Sequence, residues 1–361
     1  MKNMWSGKEF AYGMWFNDEA MVGSFKPVKR YLITPMGGYF PVLTKLKNGE
    51  LAVVFRTGDY HVGPRGRLEL SLSRDGGKTW TMPRIVTASE TDDRNPAFCQ
   101  LKDGTLLVAF VRVWGYENGL WKRNGMRWQM FVTMSTNGGR EWSKPEPLEV
   151  PFKGAVSPYG RMLQMDDGTI LMAVYSQEYT SDGSIEASYI LRSEDNGFTW
   201  QDLTLVAKGY NETALLQLPD GDLLAALRGP HAKNGGECVA INRSRDSGYT
   251  WSEPKQVTVG GEHPGDLCCL RSGNVLLTFG HRRAPYGVHA VISPDGGRSW
   301  MFSRRVALVS YAADADCGYP SSVQLDDGTI YTAYYSATCL KYREWGIHAA
   351  GVAYTEDIFS I

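Results

Sequence analysis

The 361-residue chain lacks several features that would fix its class at once, and each absence removes a set of functions. An excess of charge of one sign is missing, since 38 Lys and Arg stand against 39 Asp and Glu for a formal net charge of -1. That balance argues against nucleic acid or an anionic membrane surface as the main partner, so any positive patch must be local. Cysteine is scarce: the six, at 99, 238, 268, 269, 317 and 339, show no C-x-x-C spacing. Neither a zinc site nor a disulfide framework is indicated, and a reduced compartment is the simpler reading. With no metal-ligand spacing and no Gly-rich phosphate loop before a helix, the expectation is no metal and no cofactor. Nowhere do eighteen apolar residues run together, and the opening "MKNMWSGKEFAYGMWFNDEA" has no uninterrupted apolar stretch. This reads as no membrane span and no signal peptide, hence a cytoplasmic protein unless a leader has been trimmed.

What is present is repetition. "SRDGGKTW" at 73–80, "STNGGREW" at 135–142, "SEDNGFTW" at 193–200, "SRDSGYTW" at 244–251 and "SPDGGRSW" at 293–300 share one pattern. A second pattern interleaves with it: "LKNGELAVVF", "LKDGTLLVAF", "MDDGTILMAV", "LPDGDLLAAL", "LRSGNVLLTF" and "LDDGTIYTAY" each set a turn pair between two apolar runs. Such pairs predict tight β-hairpins, because glycine tolerates the positive φ these turns need. The hairpin glycines at 49, 104, 168, 221, 273 and 328 are 55, 64, 53, 52 and 55 residues apart, the length of a four-stranded unit. An all-β period of about 50 residues predicts propeller blades.

Each Trp of the first pattern lies 27 to 38 residues after the hairpin glycine of its own unit, so the pattern closes the second hairpin of each blade. The aspartate is expected to accept turn hydrogen bonds and the Trp to pack between blades. Five copies give Asp75, Asp195, Asp246 and Asp295 a structural role, since one active site cannot use the same turn five times. The sixth unit lacks this turn, and "VKRYLIT" at 28–34 is expected to supply its missing strand, leaving no sheet edge exposed. The prediction is an all-β, six-bladed β-propeller over residues 1–361 as a single domain, with an N-terminal strand closing the last blade.

The first strand of a blade starts, and the second ends, on the face opposite the hairpin turns. Strand starts carry Tyr39 and Phe40, Arg94 and Asn95, Tyr159 and Arg161, Asn211 and Glu212, His263 and Asp266, and Tyr319. Strand ends carry Arg56 with Asp59, Arg112, Tyr175, Arg228, His281 with Arg282 and Arg283, and Tyr335. Any one such Arg is readily explained as solvated or paired with a surface carboxylate. Seven arginines with few visible carboxylates to neutralise them instead suggest an anionic group held by guanidinium contacts.

Repeated Asp-box turns in a six-unit ring resemble the sialidase superfamily, over nearly the whole chain. The resemblance implies that Glu212 begins the first strand of blade four and Arg228 ends that blade's second strand. It further implies a second carboxylate-binding arginine at Arg282 or Arg283, and a nucleophilic Tyr319 in "CGYPSSVQL". Two departures stand out: Phe40 in "GYFPVL" occupies the place of the family's first-blade arginine, and Asp59 lies near the acid/base aspartate's place without a clear alignment. Arg94 and Arg56 are the candidates to replace the lost guanidinium, with Arg161, His263 and Asp266 as further sugar contacts.

The resemblance implies an exo-acting glycoside hydrolase on a terminal acidic sugar, sialic acid or a related residue. Tyr319 would attack, Glu212 would take its proton, and the partner is a carbohydrate. A tyrosine with an ordinary pKa of about 10 needs such a base, and sialidases are an exception to the two-carboxylate rule because they use Tyr. Two other readings stay open: a hydrolase or polysaccharide lyase on a different sugar, with His263, His281 or His61 in proton transfer, and a carbohydrate-binding propeller without catalysis.

Overall fold

The computed structural model describes residues 19–22, 26–122, 126–152, 154–180, 183–231, 236–338 and 346–360. Six sheets of four or five strands, antiparallel apart from one short parallel edge, follow one another in the six-bladed β-propeller arrangement, with short 3-10 turns at Phe302–Arg304 and Glu356–Phe359. By contact density the chain divides into two units. One comprises Met1–Val53, Ser71–Met82 and Gly261–Ile361; the other comprises Val54–Leu70 and Pro83–Gly260.

In the first unit, blade five is built from Glu262–Cys269, Val275–His281, Gly287–Ser293 and Val306–Val309. Blade six follows with Gly318–Gln324, Ile330–Ala337 and Ile347–Tyr354, and its fourth strand is Lys26–Thr34, paired to Ile347–Tyr354 through Lys29 with Ala353 and Tyr31 with Gly351. The expected N-terminal closure is therefore present, and Glu19–Val22 adds a further strand outside it. The core here joins Leu276, Val288 and Ala290 of blade five to Ile330, Tyr334 and Val352 of blade six. A polar ladder runs through it from Thr278 Oγ1 to Ser322 Oγ (3.0 Å), Thr332 Oγ1 (2.9 Å) and the Tyr354 hydroxyl (2.9 Å).

In the second unit, blade two is Asp92–Gln100, Leu106–Trp114, Arg127–Ser135 and Glu146–Leu148. Blade three is Ala155–Pro158, Ile170–Thr180, Gly183–Ser193 and Gln201–Lys208, with Leu163–Gln164 also on Ile170–Thr180. Blade four is Thr213–Gln217, Leu223–His231, Glu237–Ser244 and Lys255–Gln256. Two apolar clusters hold the unit, one centred on Leu107, Ala109, Met130, Met172 and Val174, the other on Leu171, Ile190, Leu215, Ala225 and Leu227. Blade one, Tyr39–Lys45, Leu51–Thr57, Arg67–Ser73 and Arg84–Ala88, has strands belonging in part to each unit. Second strands such as Leu106–Trp114 are buried on both faces, which is why they read as near-continuous apolar runs rather than alternating ones. Burying one such side chain, Phe110 for instance, contributes about 1.5–3 kcal/mol.

The Asp-box turns have the expected structural role. In blade one, Asp75 accepts from Ser73 Oγ (2.9 Å), Thr79 N (2.9 Å) and Thr79 Oγ1 (2.6 Å), while Ser73 Oγ accepts from Gly77 N (2.8 Å). The same bonds recur around Asp195, Asp246 and Asp295. Burial opposes, and is the largest single effect at Asp75, Asp195 and Asp295, but these bonds together outweigh it and hold each carboxyl below its usual range, to about 2 at Asp246 and Asp295. The Trp80 indole donates to Gly77 O (3.0 Å) and packs on Tyr331 of blade six at 5.9 Å between ring centroids. Only glycine fits at 77, where φ is 88° and a Cβ would lie 2.1 Å from the Tyr331 ring.

Blade three departs from the sequence reading. Gly160, at φ 69°, turns the chain so that Gly160–Arg161 runs parallel to Ala97 and Phe98 of blade two instead of continuing its own first strand. Met162 N donates to Phe98 O (3.2 Å), and burial of the Met162 side chain fixes the detour.

Candidate functional site

Three first strands begin with the same backbone device. Phe40, Asn95 and Tyr319 have φ of 53°, 51° and 48°, and each precedes a proline. Asparagine tolerates this left-handed region, but for bulky aromatics it is an outlier that costs about 1–3 kcal/mol and persists where the surroundings over-determine it. The first strand slips register beside two of these residues, between Arg94 and Ala97 and between Gly318 and Ser321.

In the first unit, Tyr319 is 6% exposed and sits in an aromatic set, with Phe40 edge-on at 4.9 Å and Tyr335 at 5.6 Å. The Arg282 guanidinium lies over its ring at 5.3 Å. The Tyr335 hydroxyl donates to Asp316 Oδ1 (2.6 Å), and burial, with Asp316 beside it, pushes its pKa well above the ordinary phenol value. Near the start of blade five, Glu262 is 1% exposed in its side chain and meets Arg305 (2.6 Å), His281 Nδ1 (3.2 Å) and, more distantly, Arg283 (3.9 Å). His289 stacks on His281 at 4.1 Å, and burial, followed by the Arg305 charge, pulls its pKa down to about 3. His263 is buried at the head of the same strand. Asp266 accepts from Ser322 N (2.7 Å), which ties blade five to blade six.

In the second unit, Arg56 and Asp92 form a pair with both side chains 0% exposed, Arg56 Nη2 standing 2.7 Å and Nε 2.8 Å from Asp92 Oδ1. Arg56 also donates to the carbonyls of Asp59 (3.4 Å), Tyr60 and Gly63 (3.1 Å). Its guanidinium therefore braces the 58–66 loop. Burial lowers its pKa, with Asp92 opposing. Asp59 accepts from Tyr60 N (2.9 Å) and Arg65 N (3.1 Å), folding the same loop. Arg94 approaches Asp92 Oδ2 (3.3 Å) beneath the Trp121 ring (5.0 Å); burial is the largest effect and opposes its charge, but Asp92, Tyr116 and Tyr175 together outweigh it and raise the pKa. The hydroxyl of Tyr116 donates to Asp92 and accepts from Trp121 Nε1 (2.7 Å), and burial, then Asp92, pushes the phenol up to about 12. Tyr116–Glu117 and Leu120–Trp121 form a small hairpin inserted after the second strand of blade two. Arg112 is bound to Asp93 (2.6 Å).

Blade four supplies the other group in this unit. Glu212, 9% exposed in its side chain, accepts from Arg228 Nη1 (2.7 Å). Arg228 also donates from Nε (2.9 Å) and Nη2 (2.5 Å) to Glu237 Oε2. Asn211 Nδ2 donates to Glu186 (2.9 Å) and Glu237 (3.4 Å). Burial raises the Glu186 carboxyl, the Asn211 bond opposing and Glu237 adding to it, and burial, with Glu212 beside it, lifts Tyr175 to about 12.

The expectation of arginines with few carboxylates needs correction. Five of the seven, Arg56, Arg94, Arg112, Arg228 and Arg283, stand 3.9 Å or less from a carboxylate oxygen. Their partners Asp92, Asp93, Glu237 and Glu262 come from strand starts that no repeat marks, and only "DDRNP" placed acids beside an arginine visibly in sequence. Among the described residues no group of three or more His, Cys, Asp or Glu is placed to hold a metal ion.

The repeat-bearing region, residues 49–332, matches the model of the BNR repeat-like domain. The chain belongs to the BNR repeat-like domain family. Its membership of the sialidase superfamily, read from the Asp-boxes, holds as well. A sialidase of Bacteroides fragilis is 25% identical over 301 residues, covering 74% of this chain and 54% of that protein. A sialidase of Micromonospora viridifaciens is 24% identical over 351 residues, covering 85% and 51%. This BNR repeat-like chain thus spans about half the length of these curated relatives. A Dyadobacter fermentans protein of unknown function superposes with a TM-score of 0.77 at 26% identity, covering 92% of this chain and 98% of its own. The Hadza microbial sialidase Hz136 shares the fold at a TM-score of 0.72 and 22% identity, over 91% of this chain and 69% of its own.

Proposed function

We propose that the protein is an exo-acting glycoside hydrolase of the sialidase type, in which Tyr319 attacks the anomeric carbon of a terminal sugar and Glu212 takes the tyrosine's proton. The observation that carries this reading is the strained backbone of Tyr319 at φ 48°, held against Phe40 and Arg282. An outlier of this kind on a bulky residue points to a position kept for function rather than for stability. A neutral nucleophile is suited to an anomeric centre that bears a nearby negative charge, and a base removes its proton only as attack proceeds. Glu212 is suited to the base role because its ion pair with Arg228 orients one carboxylate oxygen. Asp59 is a weaker choice for general acid than its position suggests, because its carboxylate already folds its own loop.

The sialidase relatives support an acidic sugar, sialic acid or a related residue, and Arg282 or Arg283 would then contact its carboxylate. The ion pairs of the other arginines favour a second reading, an uncharged sugar. Both are tested by fluorogenic aryl sialosides beside uronic-acid and neutral aryl glycosides. The hydrolase reading expects turnover on at least one of these and a loss of about 100-fold or more in Tyr319→Phe and in Glu212→Gln. An ultraviolet-absorbing unsaturated product would instead establish a lyase, and no turnover on any of them would leave a binding propeller.

A further inference from the structure

Arg228 already has its charge partners. Three of its N–H groups point at glutamates, Nη1 at Glu212 and both Nε and Nη2 at Glu237. Glu186 joins them through Asn211, which bridges Glu186 and Glu237, and Gln177 donates to Glu186 (3.3 Å). Arg228 therefore holds two carboxylates, and Asn211 links a third to them. A sugar carboxylate taking the bidentate Nε–Nη2 edge of Arg228 would displace Glu237, part-buried at 24% side-chain exposure, from that guanidinium. Removing one partner of such a pair is strongly unfavourable. Sugar hydroxyls face no such obstacle: they donate to carboxylates and add no charge.

We propose that Glu237 sets the charge of the sugar this protein accepts: by occupying Arg228 it makes the blade-four site one for an uncharged terminal sugar and turns a carboxylate away. This rests on the reading above that Glu212 acts in the site, which places its ion-pair partner Arg228 beside the sugar. Phe40, in the place of an arginine, is a second residue in the sequence that withdraws positive charge from that family's pattern. Glu237 is a specificity residue here and takes no part in bond breaking.

The test measures binding rather than turnover, by calorimetry on the full chain at neutral pH. The probes are galactose with galacturonic acid, glucose with glucuronic acid, and N-acetylneuraminic acid. The wild type is expected to bind a neutral member at least about 10-fold more tightly than its acid, and more tightly than N-acetylneuraminic acid. Glu237→Gln should improve acid binding by about 10-fold while Glu237→Asp restores the original preference. The proposal is overturned if the wild type prefers the acids, shows no preference or binds none of the sugars, or if a folded Glu237→Gln leaves acid binding unchanged. Should Glu237→Gln fail to fold, the wild-type preference decides alone. Selective binding of neutral sugars without Tyr319-dependent turnover would sink the hydrolase reading but not this one. Tyr319-dependent hydrolysis of sialosides would do the reverse.

Discussion

Replacing Asp92 by Asn tests how the second unit is held together beneath its candidate site. Asp92 accepts from Arg56 twice, at 2.7 and 2.8 Å, from Arg94 at 3.3 Å and from Tyr116, with its own side chain 0% exposed. The amide keeps the shape and one acceptor but removes the charge that compensates Arg56 and Arg94. Truncating one member of a buried pair costs about 3–5 kcal/mol because the other charge stays buried and unpaired. The upper part of that range is expected here, since two guanidinium groups lose their counter-charge. The loss is greater than that of an exposed pair such as Arg74 with Glu50, where about 0–1 kcal/mol is typical. Urea unfolding followed by circular dichroism measures the change, with Glu50→Gln as the control. A second readout is proteolysis in the 58–66 loop, which opens if Arg56 swings away from the carbonyls of Asp59, Tyr60 and Gly63. An Asp92→Asn protein within about 0.5 kcal/mol of wild type, with its loop still protected, would refute the argument that this pair braces the loop.

Three further outcomes are expected. Asp295→Ala loses the acceptor of Ser293, Arg298 and Ser299, and should lower stability by about 1–3 kcal/mol in thermal unfolding while leaving turnover per folded molecule intact; an inactive but folded variant would contradict the structural assignment of the Asp-box. The depressed Asp246 and Asp295 carboxyls, near 2 when folded against about 3.9 unfolded, contribute stability that is fully present above about pH 4 and lost as pH falls toward 2, so the Asp295→Asn variant should show a shallower acid loss than wild type. Gly77→Ala brings a Cβ against the Tyr331 ring at a positive φ and should destabilise by about 1–3 kcal/mol, and relief by Tyr331→Leu in a double-mutant cycle would confirm that the ring is the obstacle.

Local chemistry made the scaffold legible. A hairpin turn and an Asp-box turn each depend on a few consecutive residues, so their spacing alone gave six blades, their order, the strand at 28–34 that completes the last sheet, and the structural use of the repeated aspartates. The same spacing put Tyr319, Glu212 and Arg228 at strand ends. What surrounds those side chains depends on residues far apart in the chain. Arg56 meets Asp92 across 36 positions and Asp266 meets the Ser322 amide across 56, so groups expected at the sugar also brace a loop and join two blades. Nor did the sequence foretell the left-handed backbone at Phe40 and Tyr319, since a residue before proline ordinarily favours extended geometry. A repeat sets where a strand begins because that is decided within a few residues; the charge left available at its end is decided by whichever strand packs beside it, and only the tertiary structure says which.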